Sequence, residues 1–243
     1  MLSAFLFILF ITMGYLVGSV CSAVIVSKLF DLPDPCSEGS KNPGATNVLR
    51  LAGKKYAVYV LVADMLKGFF PVLLAALLTS NHTLAAFTCL AAVIGHCYPL
   101  FFKFKGGKGI ATAFGGLLGL NLVLGASVVG IWLLVVNFSR YSSLASMISM
   151  AFMPVLAIIF LQSGEPLIPM VAISLLVFYK HRYNINRLID GTEPKVFLKK
   201  PILHGEGEHS TVDAAEEGEP QPVETITDIV EEDTQNKTTN EGS

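Results

Sequence analysis

A glycine-rich segment beside basic side chains is the first part of this sequence that could do chemistry. Residues 104–112 read Phe-Lys-Gly-Gly-Lys-Gly-Ile-Ala-Thr and lead directly into an apolar stretch. The backbone N–H groups of Gly106 and Gly107 can approach a phosphate closely, a following helix N-terminus favours an anion, and Lys108 supplies a positive charge. The spacing is not that of a Walker P-loop, which disfavours nucleotide hydrolysis. The segment predicts a phosphate-binding loop; the alternative is a basic interfacial turn that only holds topology.

A second polar loop lies between Glu38 and Arg50. It contains Ser40, Asn42 and Thr46 among glycines, and it closes with the guanidinium of Arg50. Backbone N–H groups and a guanidinium can together bind an anion. The pattern indicates a site for a phosphate or phosphate ester. An ordinary polar loop that uses Gly and Pro for its turns is equally compatible with it.

A third polar cluster, residues 180–188, directly follows the last apolar stretch. It contains His181 and Asn184, and Glu193 lies just beyond it. A basic stretch at such a place ordinarily contacts anionic lipid, which is the alternative to a role in a binding site. Ser146 belongs to a minor polar group after an earlier apolar stretch and should point into the interior from its helix.

Ionisable side chains also occur inside apolar stretches, where they are costly and default to a paired or functional role. Asp64 and Lys67 stand one helical turn apart in such a stretch, so both side chains lie on one helix face. A structural ion pair is favoured over a catalytic dyad. His96 stands near the end of the next apolar stretch, shortly before the glycine-rich loop.

The composition indicates the kind of fold that must position these residues. Of 243 residues, 52% are hydrophobic and only 15% are charged, which indicates an all-α polytopic integral membrane protein. A spanning helix needs about 20 apolar residues. The stretch 110–136 is too long for one span, and its glycines predict two helices that meet near Asn121. Seven transmembrane helices are therefore predicted, within residues 2–27, 56–78, 84–102, 110–136 (two helices), 144–161 and 166–179.

The distribution of Lys and Arg predicts the orientation, because cytoplasmic loops are enriched in both residues. The connections after the first, third, fifth and seventh predicted helices all carry Lys or Arg, whereas the alternate connections carry none. The N-terminus is therefore predicted outside, and the three polar clusters and the C-terminus in the cytoplasm. The alternation requires seven helices, which independently supports the division near Asn121.

The end of the chain has a different composition. Residues 205–243 contain one Lys, 12 of the 19 acidic residues and no apolar run. Such a segment cannot bury enough surface to offset the entropy lost on ordering. Residues 1–200 are predicted to form the membrane domain, and residues 201–243 an acidic, disordered cytoplasmic tail.

Taken together, these segments resemble the PlsY family, the acyl-phosphate-dependent glycerol-3-phosphate acyltransferases of bacterial membranes. The resemblance covers residues 1 to about 193, and only Lys41 departs from the pattern, where the family commonly has a small residue. The matching motifs are G-S-x-N-P-G-A-T-N-V-x-R at 39–50, D-x-x-K-G-x-x-P at 64–71, G-H-x-x-P-x-F-x-x-F-K-G-G-K-G-x-A-T at 95–112, and H-R-x-N-I-x-R-L at 181–188.

The resemblance implies transfer of a fatty acyl group from acyl phosphate to the 1-hydroxyl of sn-glycerol 3-phosphate. The products are lysophosphatidic acid and phosphate, in the first step of phospholipid synthesis at the bacterial cytoplasmic (inner) membrane. The expected partners are the two substrates and membrane lipid. No cofactor, metal ion or nucleic acid is expected, and a monomer is the default expectation.

The resemblance and the patterns together give the predicted site. The predicted catalytic residues are Ser40, Arg50, Lys108, His181 and Asn184. The predicted substrate-binding residues are Asn42, Thr46, His96, Gly106, Gly107 and Ser146. Structural roles are predicted for Asp64, Lys67 and Glu193.

Two alternatives remain open. A small membrane transporter would line a pathway with Asp64 and Lys67, but it would spread polar residues through the membrane, and here they concentrate in the predicted cytoplasmic loops. An acyltransferase that uses acyl-CoA or acyl carrier protein is the second, although the sequence has no recognisable carrier-docking surface. The His-x-x-x-x-Asp mechanism of other glycerolipid acyltransferases is excluded, because no histidine has Asp five positions later.

Overall fold

The computed structural model describes residues 1–196, and their regular structure is helical. The predicted tail, residues 201–243, lies outside the described residues. Apart from a short 3-10 helix at Leu100–Phe102, the elements are α1 (Leu2–Gly18), α2 (Ser22–Leu29), α3 (Ala45–Ala52), α4 (Lys54–Thr79), α5 (His82–Cys97), α6 (Ile110–Leu120), α7 (Leu122–Ser139), α8 (Ser142–Leu161), α9 (Leu167–Lys180) and α10 (Arg182–Ile189).

The membrane character of the fold agrees with the prediction. Within residues 1–196, five helical segments are long and apolar enough to cross a bilayer: α1 with α2, α4, α5 with the 3-10 helix, α7 and α8. The apolar helices α6 and α9 are shorter, at 11 and 14 residues. They occupy the positions of the two remaining predicted spans. Seven spans with the N-terminus outside therefore stay a prediction.

The predicted division near Asn121 is confirmed as a helix boundary. Asn121 has extended backbone angles, and α6 ends at the residue before it. Its side-chain oxygen accepts a hydrogen bond from the backbone N–H of Leu124 at 2.9 Å. The asparagine therefore caps the N-terminus of α7, because it satisfies a backbone donor that has no partner within the helix.

The first predicted span, in contrast, is not one continuous helix. The chain leaves helical geometry between α1 and α2, so that the carbonyl of Val20 is released from the helical ladder. That carbonyl accepts a hydrogen bond from Lys67 Nζ on α4 at 2.7 Å. The interruption thus supplies a polar partner for a charged side chain that is only 7% exposed.

Glycines set the close approach of α4 and α6. A Cβ atom on Gly68 of α4 would meet the backbone carbonyl of Thr112, and one on Gly115 of α6 would meet the carbonyl of Met65. Small residues at a helix contact let two backbones touch, which is the usual means of helix packing in a membrane. The start of α6, and the loop before it, are thereby fixed against α4.

Candidate active site

Glu193 is the centre of a polar network that joins α8, α10 and the segment after α10. Its Oε1 accepts hydrogen bonds from Ser143 Oγ and Asn184 Nδ2, both at 2.6 Å, and its Oε2 accepts one from Arg187 Nε at 2.8 Å. The residue is only 8% exposed. Burial raises the pKa of Glu193, but these three donors lower it more, so the net pKa lies below the ordinary value. Glu193 is therefore an anion at neutral pH.

Lys108 is connected to this network through an amide. Its Nζ donates a hydrogen bond to Asn184 Oδ1, and the side chain is partly buried. Burial is the main reason that the pKa of Lys108 falls from 10.5 to about 8, while the negative charge of Glu193 opposes the fall. A cation that is held away from water, with an amide oxygen as its direct partner, is well suited to bind an anion.

His181 lies beside the same network at the junction of α9 and α10. Its Nδ1 is 2.8 Å from the carbonyl of Val177, which places the ring proton on Nδ1 and leaves Nε2 as an acceptor. Burial first, and then the charge of Lys108, lower the pKa of His181 to about 4. The ring is therefore neutral at physiological pH and can accept a hydrogen bond from a substrate hydroxyl.

Arg50 approaches the network from α3. Its guanidinium donates to the carbonyl of Pro194 at 3.5 Å, and its charge contributes to the lowered pKa of Lys108. Four of the five predicted catalytic residues are thus brought together: Arg50, Lys108, His181 and Asn184. They come from three parts of the chain, namely α3, the glycine-rich loop and the junction of α9 with α10, and one of them, Asn184, donates directly to Glu193.

The fifth predicted catalytic residue, Ser40, lies on the loop before α3 and is exposed, as Arg50 is. Asn42 is half-buried on the same loop and Thr46 is half-buried in the first turn of α3. No hydrogen bond between described residues joins any of the three to Lys108. Next to Ser40, Lys41 has a left-handed backbone with φ of +54°, a conformation that favours glycine.

Asn47 organises this loop, although no role for it was predicted. Its side chain is 1% exposed and makes three hydrogen bonds. Nδ2 donates to the carbonyls of Pro35 and Glu38 at 3.1 and 3.0 Å, and Oδ1 accepts from the backbone N–H of Ser40 at 2.9 Å. Ser143 and Arg187, the other two donors to Glu193 besides Asn184, were likewise not assigned to the site.

Asn47→Asp should therefore destabilise the loop. An aspartate keeps the acceptor for Ser40 but cannot donate to the carbonyls of Pro35 and Glu38, and each buried group left without its partner costs about 1–3 kcal/mol. We expect a lower midpoint of thermal unfolding and a reduced kcat/KM. Asn42→Asp is the matched control, because the same chemical change at a half-buried side chain should leave the midpoint nearly unchanged. Equal midpoints for the two variants would contradict the role of Asn47.

Ser146 points into the bundle, as predicted, and is 4% exposed. Its hydroxyl donates to the carbonyl of Ser142 at 2.7 Å and accepts from Trp132 Nε1 at 3.1 Å. To donate to a substrate, the hydroxyl would have to leave the Ser142 carbonyl, whereas it keeps a lone pair that can accept a further hydrogen bond. Its predicted role in substrate binding stays a prediction.

The predicted ion pair between Asp64 and Lys67 is present, with Oδ1 and Nζ 2.7 Å apart and both side chains buried. His96 joins it from α5, with Nδ1 at 3.6 Å from the same oxygen. The backbone N–H of Gly107 donates to the His96 carbonyl at 3.1 Å, so this buried group lies next to the glycine-rich loop.

The arrangement suits electrostatic binding and positioning. It offers cations and an amide beside the glycine-rich loop, in which the N–H of Gly107, predicted to bind substrate, donates instead to the His96 carbonyl. Residues 1–196 contain no group of three His, Cys, Asp or Glu side chains that could hold a metal ion. Preorganised cations and N–H donors can stabilise the negative charge of a phosphorylated substrate without a covalent intermediate.

Known proteins are similar to this chain in sequence. Residues 8–191 match the family described as glycerol-3-phosphate acyltransferase. A glycerol-3-phosphate acyltransferase of Legionella pneumophila (strain Corby) is 53% identical over 212 residues, which are 87% of this chain and 76% of that protein. The protein of the same name from Coxiella burnetii (strain Dugway 5J108-111) is 46% identical over 192 residues, covering 79% of this chain and 99% of that one.

Two solved structures are similar as well. The crystal structure of PlsY (YgiH), an integral membrane glycerol 3-phosphate acyltransferase, in its glycerol 3-phosphate form has a TM-score of 0.74 and 37% identity, covering 79% of this chain and 96% of that chain. Its lysophosphatidic acid form has a TM-score of 0.72 and the same identity, covering 78% and 94%.

Proposed function

Because this chain belongs to the glycerol-3-phosphate acyltransferase family, we propose that it transfers a fatty acyl group from acyl phosphate to the 1-hydroxyl of sn-glycerol 3-phosphate. The products are lysophosphatidic acid and phosphate, and the site faces the cytoplasm from the bacterial inner membrane. The observation that carries the proposal is the cluster of Lys108, Asn184, Arg50 and His181 around Glu193. Such a cluster fits two phosphorylated substrates.

The chemistry requires the protein to hold two anions beside each other. Lys108, Arg50 and the backbone N–H of Gly106 bind phosphate oxygens, whereas the N–H of Gly107 is already donated to the His96 carbonyl. Ser40, Asn42, Thr46, Ser146 and Asn184 orient the polar groups of the substrates. An acyl phosphate already has a good leaving group, so positioning and electrostatic stabilisation supply most of the rate enhancement.

In the reaction the 1-hydroxyl oxygen attacks the acyl carbonyl carbon, and the bond between that carbon and the phosphate oxygen breaks. The phosphate leaves with the bonding electron pair, and the hydroxyl proton must pass to a base. His181 is a weak base, because its pKa is about 4. A phosphate group has its second pKa at about 6 and is the better acceptor. The proton therefore passes to a substrate phosphate, and His181 Nε2 orients the hydroxyl.

The decisive experiment compares acyl donors. Purified protein is supplied with glycerol 3-phosphate and either palmitoyl phosphate, palmitoyl-CoA or palmitoyl carrier protein, and lysophosphatidic acid is measured. Product from palmitoyl phosphate alone supports the proposal. If product forms only from palmitoyl-CoA or palmitoyl carrier protein, that thioester is the donor and acyl phosphate is not. If no donor gives product, the proposal of acyl transfer is rejected. A transporter is not favoured, because Asp64 and Lys67 pair with each other.

The pH dependence of kcat/KM should follow Lys108. The side chain must carry its proton to bind phosphate, and its pKa is about 8 in the free protein. Below that pH it is a cation, so kcat/KM should fall as the pH rises through about 8. Lys108→Arg should move this fall to a higher pH, because a guanidinium keeps its charge. An unchanged alkaline limb in Lys108→Arg would assign the titration to another group.

The tail, residues 201–243, should be dispensable for turnover. The Coxiella burnetii relative is covered to 99% by 192 matched residues, so a protein of that family is complete without a comparable extension. A chain that ends at residue 200 should keep the kcat and both KM values of the full chain in the same assay. A large drop in kcat, with normal elution and unfolding behaviour, would give the tail a part in turnover.

A further inference from the structure

The buried histidine of α5 lies between the ion pair of α4 and the glycine-rich loop. We propose that His96 and Asp64 are positioning residues that hold this loop, residues 105–109, in the shape that presents Lys108 to a phosphate. The inference deepens the proposed function and rests on it. It replaces the predicted contact between His96 and substrate with an action through the loop.

Both the backbone and the ring of His96 lie against the loop. The backbone N–H of Gly107 donates to the His96 carbonyl at 3.1 Å. A Cβ atom on Gly106 would meet that same carbonyl, and a Cβ atom on Gly107 would meet Nε2 and Cε1 of the ring. One residue therefore excludes side chains at two successive positions of the loop, and Lys108 is the next residue.

The opposite edge of the ring faces the carboxylate of Asp64. His96 is 7% exposed, and its Nδ1 is 3.6 Å from Oδ1 of Asp64, which is 2% exposed. Nε2, on the other side of the ring, faces Gly107, and the nearby carboxylate favours the ring proton on Nδ1. Lys67 holds Asp64 at 2.7 Å and is held in turn by the carbonyl of Val20. A continuous series of contacts thus runs from the break between α1 and α2 to Gly107.

The His96 ring does more than complete a buried ion pair. Asp64 and Lys67 neutralise each other and need no histidine for that purpose. The ring adds a rigid surface under a loop that consists largely of glycine and has few side chains of its own to fix its conformation. The accuracy of such a support matters, because misplacing a catalytic group by about 1 Å can cost about a hundredfold in rate.

A double-mutant cycle on Gly107 and His96 tests the contact. Gly107→Ala should lower kcat/KM about a hundredfold, because the new methyl group displaces the loop from the ring. In a His96→Ala background the ring is absent, so the same substitution should cost about threefold or less, a coupling expected only of residues in contact. Equal costs in the two backgrounds would overturn the proposal, as would normal activity of Gly107→Ala.

A charge-free variant tests the part played by Asp64. Asp64→Asn combined with Lys67→Met removes both buried charges together and leaves no unpaired ion. If Asp64 orients the ring, KM for glycerol 3-phosphate should rise about tenfold or more in this variant. Lys67→Met alone is the matched control, because it also leaves the Val20 carbonyl without its partner, and it should raise KM less than the double variant does. An unchanged KM and kcat would reduce the pair to a structural role and overturn this part of the proposal.

Two further measurements keep the outcome decisive. Should His96→Ala fail to fold, His96→Asn takes its place, because it keeps a donor towards Asp64 while it removes the edge that faces Gly107. Stabilisation of each variant against heat by glycerol 3-phosphate is also measured without an acyl donor. If the effects of Gly107→Ala and His96→Ala on this stabilisation are coupled, the positioning role is supported even when the wild type transfers no acyl group. If the wild type transfers acyl groups but the two effects are independent, the proposed function stands and the role of His96 is rejected.

Discussion

Replacing Lys108 with alanine is expected to lower kcat/KM for acyl transfer from acyl phosphate by about a thousandfold, the upper range for loss of one charge-stabilising group. The ammonium is the partly buried cation that Asn184 holds in place, and nothing else in the glycine-rich loop can supply that charge at the same point. Lysophosphatidic acid formation by purified protein measures the effect, with the two substrates varied independently.

Lys105→Ala is the matched control, because it removes a lysine from the same loop where the side chain is exposed. Exposed charges contribute little to specific binding, so this variant should retain near wild-type kcat/KM. Lys108→Arg should recover part of the activity, since it restores the charge with different geometry. Normal turnover of Lys108→Ala would remove Lys108 from the site and with it the proposed phosphate-binding role of the loop.

Glu193→Ala is the second substitution with a large expected effect. It removes the acceptor of three hydrogen bonds, from Ser143, Asn184 and Arg187, and frees the amide that holds Lys108. Hydrogen bonds to a charged group contribute about 1.5–3 kcal/mol each, so we expect a lower unfolding midpoint together with a loss of kcat/KM of about a hundredfold or more.

The pH profile distinguishes this role from simple stability. The charge of Glu193 raises the pKa of Lys108, so its removal should lower that pKa from about 8 and move the alkaline fall in kcat/KM to lower pH. Glu193→Gln keeps the acceptor for Ser143 and Asn184 but loses the charge, so it should shift the profile with a smaller loss of stability. Glu165→Ala removes an exposed carboxylate that accepts from Thr83, and it should change neither property. A stable, inactive Glu193→Ala with an unshifted profile would contradict the electrostatic link.

The lengths of the apolar stretches predicted much of the architecture. The division at Asn121 followed from stretch length and glycine content, and the asparagine cap explains why the break falls there. The helix α3 was not predicted, because eight residues beginning after Gly44 carry too short a pattern. Its stability comes from tertiary packing, with Val48 buried against Val60. The interruption between α1 and α2 was not predicted either, because its partner, Lys67, lies far away in sequence and meets it only in the folded protein.

The sequence identified several residues of the site, but it did not predict the contacts between them. Motifs identified Lys108, Asn184 and Glu193, yet the hydrogen bond between Lys108 and Asn184 joins residues 76 positions apart and depends on how the helices pack. The role of Asn47 was not predicted, because no sequence pattern marks an amide side chain that donates to backbone carbonyls. Only the folded loop brings Pro35, Glu38 and Ser40 around it.

The backbone contact between α4 and α6 also limits how a lipid reaches the catalytic residues. At Gly68 the carbonyl of Thr112 occupies the place where even a methyl group would stand. A hydrocarbon tail is wider than a methyl group, so this seam of the bundle is closed to it. Under the proposed function, an acyl tail must therefore lie elsewhere than between α4 and α6.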